Sequence, residues 1–564
     1  MVECVNPFTE QGEDLVSLDG QITEDKHSLF LLQETGTKQY ADYVKEILID
    51  KTKPFDTPIK KNSFRLFKAA KRKQKLPRKV GMFRATASVL GQMYIATQSR
   101  HGDIHEFFAY ESQKFPPSLA ESEEKMYHSR KSDVVDCLQN ESEGMLSSID
   151  FKDCRTHFDC VVIDGGALIH SLIPRAGAVT FEDYLTKHFM QHIKMELRKT
   201  KRLDVVWDAY WETSIKGETR SDRGVGVRLR IGPNVRLPKN WTDFLREPAN
   251  KVELFKYLSE GATSNLELHQ CDFYITYEKK VLHVGPGHEV TQECDHEEAD
   301  TRIVIHVLHA LREEARTVLV KTVDSDVVVI LITHFNLFER LSQECEVYVS
   351  FGSGKHNRIL NIREMSTALG AQRCTALPLW VALTGCDSTS SMRGRSKRMA
   401  FNAWKKSGDA VTQAMVELMH QPFTKLRLDS AQSMALEAFF VTVYGGDGKS
   451  MNELRQKFFC QRNQNPELIP PTQNALFHHC QRALYQASVW ASANVAEMTA
   501  PDPLEYGWKK VEQRLLPVWM SIPEVSTACQ ILVKCTCKRA CGTSCSCKKK
   551  SLNCTALYKC ECTH

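Results

Sequence analysis

Five short apolar runs, Asp159–Asp164, Asp204–Trp207, Phe273–Tyr277, Val318–Val323 and Val347–Phe351, alternate with stretches of helical pattern at Tyr184–Arg198, Asp300–Arg312 and Leu379–Thr384. Strand signals interleaved with helical ones predict an α/β fold, a parallel twisted sheet flanked by helices. Beyond about residue 400 the pattern is mainly helical, broken at Pro470–Pro471, and no internal repeat is visible. A chain of 564 residues is long enough for two or more domains. The pattern divides it into an accessory N-terminal region (1–150), the α/β core (155–405), a helical extension (406–525) and a cysteine-rich tail (529–564). Within the first region YADYVKEILID reads as a helix, residues 60–80 are basic, residues 88–110 read as a helix and its continuation, and 111–150 reads as linker.

The core is punctuated by carboxylates in a fixed order: CVVIDGG ends on Asp164, LDVVWDAYW carries Asp208, HEEADTRIV carries Glu298 and Asp300, VLVKTVDSDVVVI carries Asp324 and Asp326, and LWVALTGCDSTS carries Asp387. In an open parallel sheet, ligands bind in the crevice at the carboxyl ends of the strands. Acids delivered there from separate strands converge. Alone, an Asp at a strand end is a turn or cap residue, DSD a helix N-cap and EAD a first-turn feature. Together they form a concentration of negative charge suited to divalent cations, which take hard oxygen ligands. Two such ions a few Å apart hydrolyse phosphodiesters by activating a water and stabilising the leaving oxygen. His170 and His296 lie near these motifs but are expected to be structural or solvent-exposed, since this chemistry needs no histidine base.

The ordered motifs VVIDG, VVWDA, EAD, DSD and TGCD resemble those of flap-endonuclease (XPG-type) nucleases within the PIN-like superfamily, over roughly residues 155–405. The resemblance implies a PIN-like core using two Mg²⁺ or Mn²⁺ ions. Asp164, Asp208, Glu298 and Asp300 would hold one ion. Asp324, Asp326 and Asp387 would hold the second, with Asp300 near both. It also implies that Lys216, Arg220 and Arg223 contact the scissile phosphate, as guanidinium and ammonium groups offset charge in the transition state. After Asp387, STSSMRGRSKRMAFNAW resembles the helix–two-turn–helix of the same family, with Gly394 at the turn and Arg393, Arg395, Lys397 and Arg398 facing duplex backbone. Three departures stand out: the second acid of EAD is a shorter Asp, Asp208 is followed by Ala, and Ser396 stands near the place of the second turn glycine.

Of 20 cysteines, eight fall in the last stretch: Cys535, Cys537, Cys541, Cys545, Cys547, Cys554, Cys560 and Cys562. Three C-x-C pairs so close together suit shared thiolates, about three structural Zn²⁺ with bridging sulfurs, and Cys529 or His564 as a ninth ligand. The segment resembles the CXC domain of tesmin/TSO1-like DNA-binding proteins and of pre-SET regions. Net charge is only +5, but KKNSFRLFKAAKRKQKLPRK, MRGRSKRMA and CKKK are local basic stripes, the footprint of a polyanion partner. No apolar run reaches the ~18 residues of a membrane span, so no membrane partner is expected. The N-terminal MVECVNPFTEQGEDLV lacks the pattern of a secretory signal. The combined expectation is a nuclear, mobile-element-related nuclease acting on DNA. Its alternatives are a non-catalytic nucleic-acid-binding or chromatin protein with a decayed core, and an RNA-cleaving PIN enzyme.

Overall fold

The computed structural model describes residues 15–16, 22–24, 36–54, 57, 107–142, 157–175, 177–210, 226–288, 293–448, 450–460, 465–511 and 514–524. The chain forms two compact units. Of the described residues, those up to 57, within 169–195 and within 226–266 belong to the first, and those within 107–168, 196–210 and 267–524 make the second.

The second unit is built on a seven-stranded sheet. Its strands are β1 (Phe158–Asp164), β2 (Thr200–Val206), β3 (Asp272–Tyr277), β4 (Lys280–Val284), β5 (Thr317–Thr322), β6 (Glu346–Phe351) and β7 (Arg358–Asn361). Their order is β7-β6-β5-β1-β2-β3-β4. The five inner strands run parallel, and β4 and β7 close the edges antiparallel. Inner strands such as CVVI and VLV are buried, as β-branched runs covered on both faces should be. All five predicted strands are present. The two edge strands were not anticipated. The turn between β3 and β4 is Glu278–Lys279, with Glu278 at φ 51°, and so carries neither Gly nor Asn to announce a hairpin.

Helices cover this sheet: α1 (Ser132–Ser142), α2 (Ala299–Arg312), α3 (Ser325–Leu341), α4 (Ala371–Leu383), α5 (Lys397–Lys406), α6 (Asp409–His420), α7 (Ala431–Val443), α8 (Met451–Cys460) and α9 (Gln473–Ala491). The linker reading of 111–150 does not hold for residues 111–142. Phe115, Leu119, Val134, Val135 and Leu138 are buried in the same core as the sheet, because SDVVDCLQ places its apolar residues on one helical face. Nor do the helices after residue 406 stand apart: α4 packs on α6 and α9, and Trp380, Trp404 and Trp490 share that core. A hairpin, Trp508–Val511 with Arg514–Pro517, follows.

The first unit has its own apolar centre in Phe181, Tyr184, Trp241 and Phe244. A capping box at Thr180 and Asp183 starts its helix, and an ion pair joins Arg228 to Glu253.

Among the buried histidines of the second unit, His334 and His479 each meet a backbone carbonyl. His334 is bonded through Nε2 to the Trp490 carbonyl at 3.0 Å, and His479 likewise to that of Leu383 at 2.8 Å. Burial lowers the first to about 4 and the second to about 3. Between those values and about 6.5 the unfolded chain binds protons that the fold does not. Their stabilising contribution is therefore complete above pH 6.5 and is lost as pH falls toward 4, by up to ~1.4 kcal/mol per pH unit and ring. The melting temperature is expected to drop between pH 6.5 and 4.5. His334→Gln with His479→Gln should drop less steeply, and equal slopes in a melting series would contradict the assignment.

Candidate metal centre

Strand β1 lies between β5 and β2, and the chain leaves β1 toward β2 but leaves β5 toward β6 on the other side. This reversal opens a crevice at the carboxyl ends of the two strands. Asp164 is the last residue of β1, Asp208 lies two past the end of β2, and Asp324 two past the end of β5. Two helix N-termini add the other acids. Glu298 is the N-cap of α2 with Asp300 in its first turn, and Asp324 is the N-cap of α3 with Asp326 in its first turn. Carboxylates are favoured at these positions because unpaired N–H groups and the helix dipole face them.

Hydrogen bonds bring these groups into one crevice. Thr322 Oγ1 donates to Asp164 Oδ2 at 2.8 Å, and the Ala167 N–H donates to Asp164 Oδ1 at 3.1 Å. The Ala299 N–H donates to Asp208 Oδ1 at 2.9 Å, and the Ala209 N–H donates to the Glu297 carbonyl at 2.7 Å, which ties Asp208 to the start of α2. The Asp326 N–H donates to Asp324 Oδ1 at 2.9 Å. Gly166 leaves room between the first two acids: a Cβ there would stand 3.3 Å from Asp164 Oδ1 and 3.8 Å from Asp208 Oδ2. One oxygen each of Asp300, Asp324 and Asp326 lies within 4.8 Å of the others. Asp204, in the same stretch as Asp208, belongs elsewhere. It is buried in a two-point pair with Arg202, at 2.8 and 2.7 Å, and accepts from His306. Of the nearby histidines, His170 is exposed, and His296 is buried with Nε2 bonded to the Val495 carbonyl at 2.7 Å.

The two halves of the crevice differ in charge compensation. Burial first, then the neighbouring Asp208 carboxylate, raise Asp164 to about 6 against the pull of its two hydrogen bonds, with a smaller push from Asp324. Among the described residues no cation pairs with this carboxylate, and the hard oxygens around it suit a divalent cation. The other half has a cation of its own. Lys131 Nζ lies 2.7 Å from Asp387 Oδ2, 2.8 Å from Asp326 Oδ2 and 3.4 Å from Asp324 Oδ2. Burial pulls this ammonium down, but Asp326, Asp324 and Asp387 together hold it well above the ordinary lysine value. Sequence reading missed Lys131. The available signal was its spacing from Val134, Val135 and Leu138, which aligns it with the apolar face of the helix that starts at Ser132.

Gly165 couples the two strands that carry the first acids. A Cβ there would fall 2.1 Å from Trp207 Cε3, on a ring that is buried and immediately precedes Asp208. Gly165→Ala is expected to cost about 1–3 kcal/mol by overpacking and to weaken Mn²⁺ binding by displacing Asp208. Thermal melts with and without Mn²⁺ check this, and an unchanged melt in both would refute the coupling.

The expected phosphate contacts divide. Lys216, Arg220 and Arg223 lie outside the described residues, as do the eight cysteines from Cys535 to Cys562 and the basic stretch 60–79. Arg393 and Arg398 are exposed, Arg393 pairing with Glu467 at 3.1 Å. Arg395 is half-buried over the Tyr444 and Phe458 rings. Lys397 corrects the expectation. It is buried, and its ammonium donates to Thr384 Oγ1 at 3.0 Å and the Val381 carbonyl at 3.2 Å. Its spacing from Ala400, Phe401 and Trp404 places it on the inner face of α5, away from any duplex. Gly394 does take the left-handed conformation expected of a turn glycine, at φ 73°.

Fold and site together define a doubly wound α/β protein with a carboxylate-lined crevice at its switch point. Two solved structures are similar to it. One is the bacteriophage T5 D15 protein co-crystallized with metal ions, with 11% identity, a TM-score of 0.27, and 59% of this chain and 96% of that one covered. The other is the T5 D15 flap endonuclease in a pseudo-enzyme–product complex with DNA and metal ions, with 11% identity, a TM-score of 0.26, and coverage of 59% and 99%. No family model matches the sequence, and no curated protein matches it.

Proposed function

We propose that the chain is a divalent-metal-dependent nuclease that hydrolyses phosphodiester bonds in DNA, held on its substrate by basic residues of the core and by a zinc-bound CXC tail, and acting in the nucleus. The observation that carries this reading is the convergence of carboxylates from β1, β2, β5, α2 and α3 on the switch-point crevice. Asp164 is buried beside Asp208 with no cation paired to it among the described residues, an arrangement that is unfavourable unless the crevice has a cation to hold. Asp164, Asp208, Glu298 and Asp300 are the residues that would hold it. A Mg²⁺ or Mn²⁺ held there would supply Lewis-acid activation of water and offset charge on the phosphate. The chain's own part is to hold the ligands in register. Thr322 and Ala167 fix Asp164, Ala299 fixes Asp208, and the two helix N-termini orient Glu298, Asp300, Asp324 and Asp326. Lys216, Arg220 and Arg223 would then meet the scissile phosphate, and Arg393 and Arg398 the flanking backbone.

The test is cleavage by the purified chain of flap, single-stranded, duplex and RNA substrates, with Mg²⁺, with Mn²⁺ and with chelator. Metal-dependent cutting of DNA is the expected result. Cutting confined to RNA would move the substrate class. DNA binding without cutting of any substrate would establish the non-catalytic alternative.

For the tail, elemental analysis of the full chain is expected to find about three zinc ions. Deleting residues 525–564 should weaken DNA binding and flatten its salt dependence, since fewer phosphates are neutralised, while the core still cuts at high enzyme concentration. Zinc near one or none would refute the shared-thiolate cluster.

A further inference from the structure

We infer that Lys131 stands in the place expected for a second divalent ion, so that the centre takes one metal ion and one permanent ammonium. The inference rests on the metal-nuclease reading above and departs from the two-ion arrangement that the sequence resemblance implied.

The geometry is that of a filled site. An ammonium has three N–H donors and no acceptor. Here it faces Asp387, Asp326 and Asp324 at 2.7, 2.8 and 3.4 Å, the three acids assigned to the second ion. The two shorter distances are those of charge-assisted hydrogen bonds. A divalent ion would need oxygens of the same three carboxylates at about 2.1 Å, in competition with a cation already in contact with them.

Lys131 is also held in place by the backbone around it. Ser129 Oγ donates to the Gly385 carbonyl at 2.9 Å, two residues before Asp387. The Ser391 N–H donates to the Tyr127 carbonyl at 2.8 Å, and the Arg393 N–H to that of Ser118 at 2.9 Å. On its other side α1 is anchored by Val134, Val135 and Leu138 in the core. A lysine immediately before a helix is locally unfavourable, because the positive end of the dipole repels it. The three carboxylates offset that repulsion. Residues that break a local rule in this way collect at functional sites.

The chemical consequence is an asymmetric centre. Asp164, Asp208, Glu298 and Asp300 form the half that takes the exchangeable ion. Asp324, Asp326 and Asp387 form a half whose countercharge belongs to the chain and is present at constant stoichiometry.

Mn²⁺ titration of the zinc-loaded full chain, followed by calorimetry and by Mn²⁺ electron paramagnetic resonance, tests this. Thiolates of the tail are poor ligands for Mn²⁺, so the count reports the crevice. The native chain is expected to bind one Mn²⁺ with an uncoupled signal. Lys131→Met is expected to bind two with a spin-coupled signal, and Lys131→Arg to stay at one. Two ions in the native chain would overturn the inference and leave the nuclease reading standing. One ion in both the native chain and a folded Lys131→Met would also overturn it, since Lys131 would not be what limits the count. No ion in the native chain would remove the metal centre itself. Should Lys131→Met fail to fold, the native stoichiometry and Lys131→Gln still decide.

Discussion

Asparagine at both Asp324 and Asp326 is expected to reduce DNA cleavage by at least about 10³-fold, the scale of losing a preorganised electrostatic group at a reacting phosphate, while DNA affinity changes little. The two carboxylates lie against Lys131, and each has an oxygen close to one of Asp300. Removing them alters both halves of the crevice. Affinity should survive because it comes from exposed basic residues and the tail, whereas bare carboxylates repel phosphate. The fold should survive too. Asn caps a helix about as well as Asp, so the Asp324 cap of α3 is kept, and Lys131 retains Asp387. Single-turnover cleavage and equilibrium binding on one substrate separate the two effects. Full residual activity in the double variant would sink the assignment of the site.

A chain that starts at residue 150 is expected not to fold. It retains every acid of the crevice but loses Phe115, Leu119, Val134, Val135 and Leu138, all buried in the common core. At about 1.5–3 kcal/mol for each large buried side chain, the loss is comparable with the whole stability of a domain, about 5–15 kcal/mol. It also strips Arg455 of Glu111, its buried partner at 3.2 Å, and leaves the Thr472 N–H without the same carboxylate at 2.7 Å. Insoluble protein, or the absence of a cooperative melt by circular dichroism, is the expected outcome. A melt within a few degrees of the full chain would show that residues 107–142 are dispensable.

The parts of this molecule that were legible in its sequence are those written locally. Runs such as CVVI and VLV are strands in any context that buries both faces, and an acid just past such a run falls at the mouth of a parallel sheet. The crevice of Asp164, Asp208 and Asp324 was therefore readable without coordinates. Lys131 was not, because its meaning lies in partners 193 and 195 residues away. Its own surroundings, SRKSDVVD, have the composition of a linker. Lys397 was misread for a different reason. The basic string around it suggested a surface stripe, whereas its spacing from Ala400, Phe401 and Trp404 already pointed inward. The edge strands β4 and β7 escaped because they are short and half-polar, and pairing with a neighbour defines them more than their own residues do.

The Lys131 contacts also change when the cost of ordering the crevice is met. Side chains gathered around a diffusible ion lose their rotameric freedom at the moment of binding, and affinity falls by that amount. Asp324, Asp326 and Asp387 are drawn together by a cation covalently attached to the chain, so their entropy is surrendered during folding. If Lys131 fills that place, no chelator would empty that half of the crevice, and its geometry would not depend on the supply of free metal.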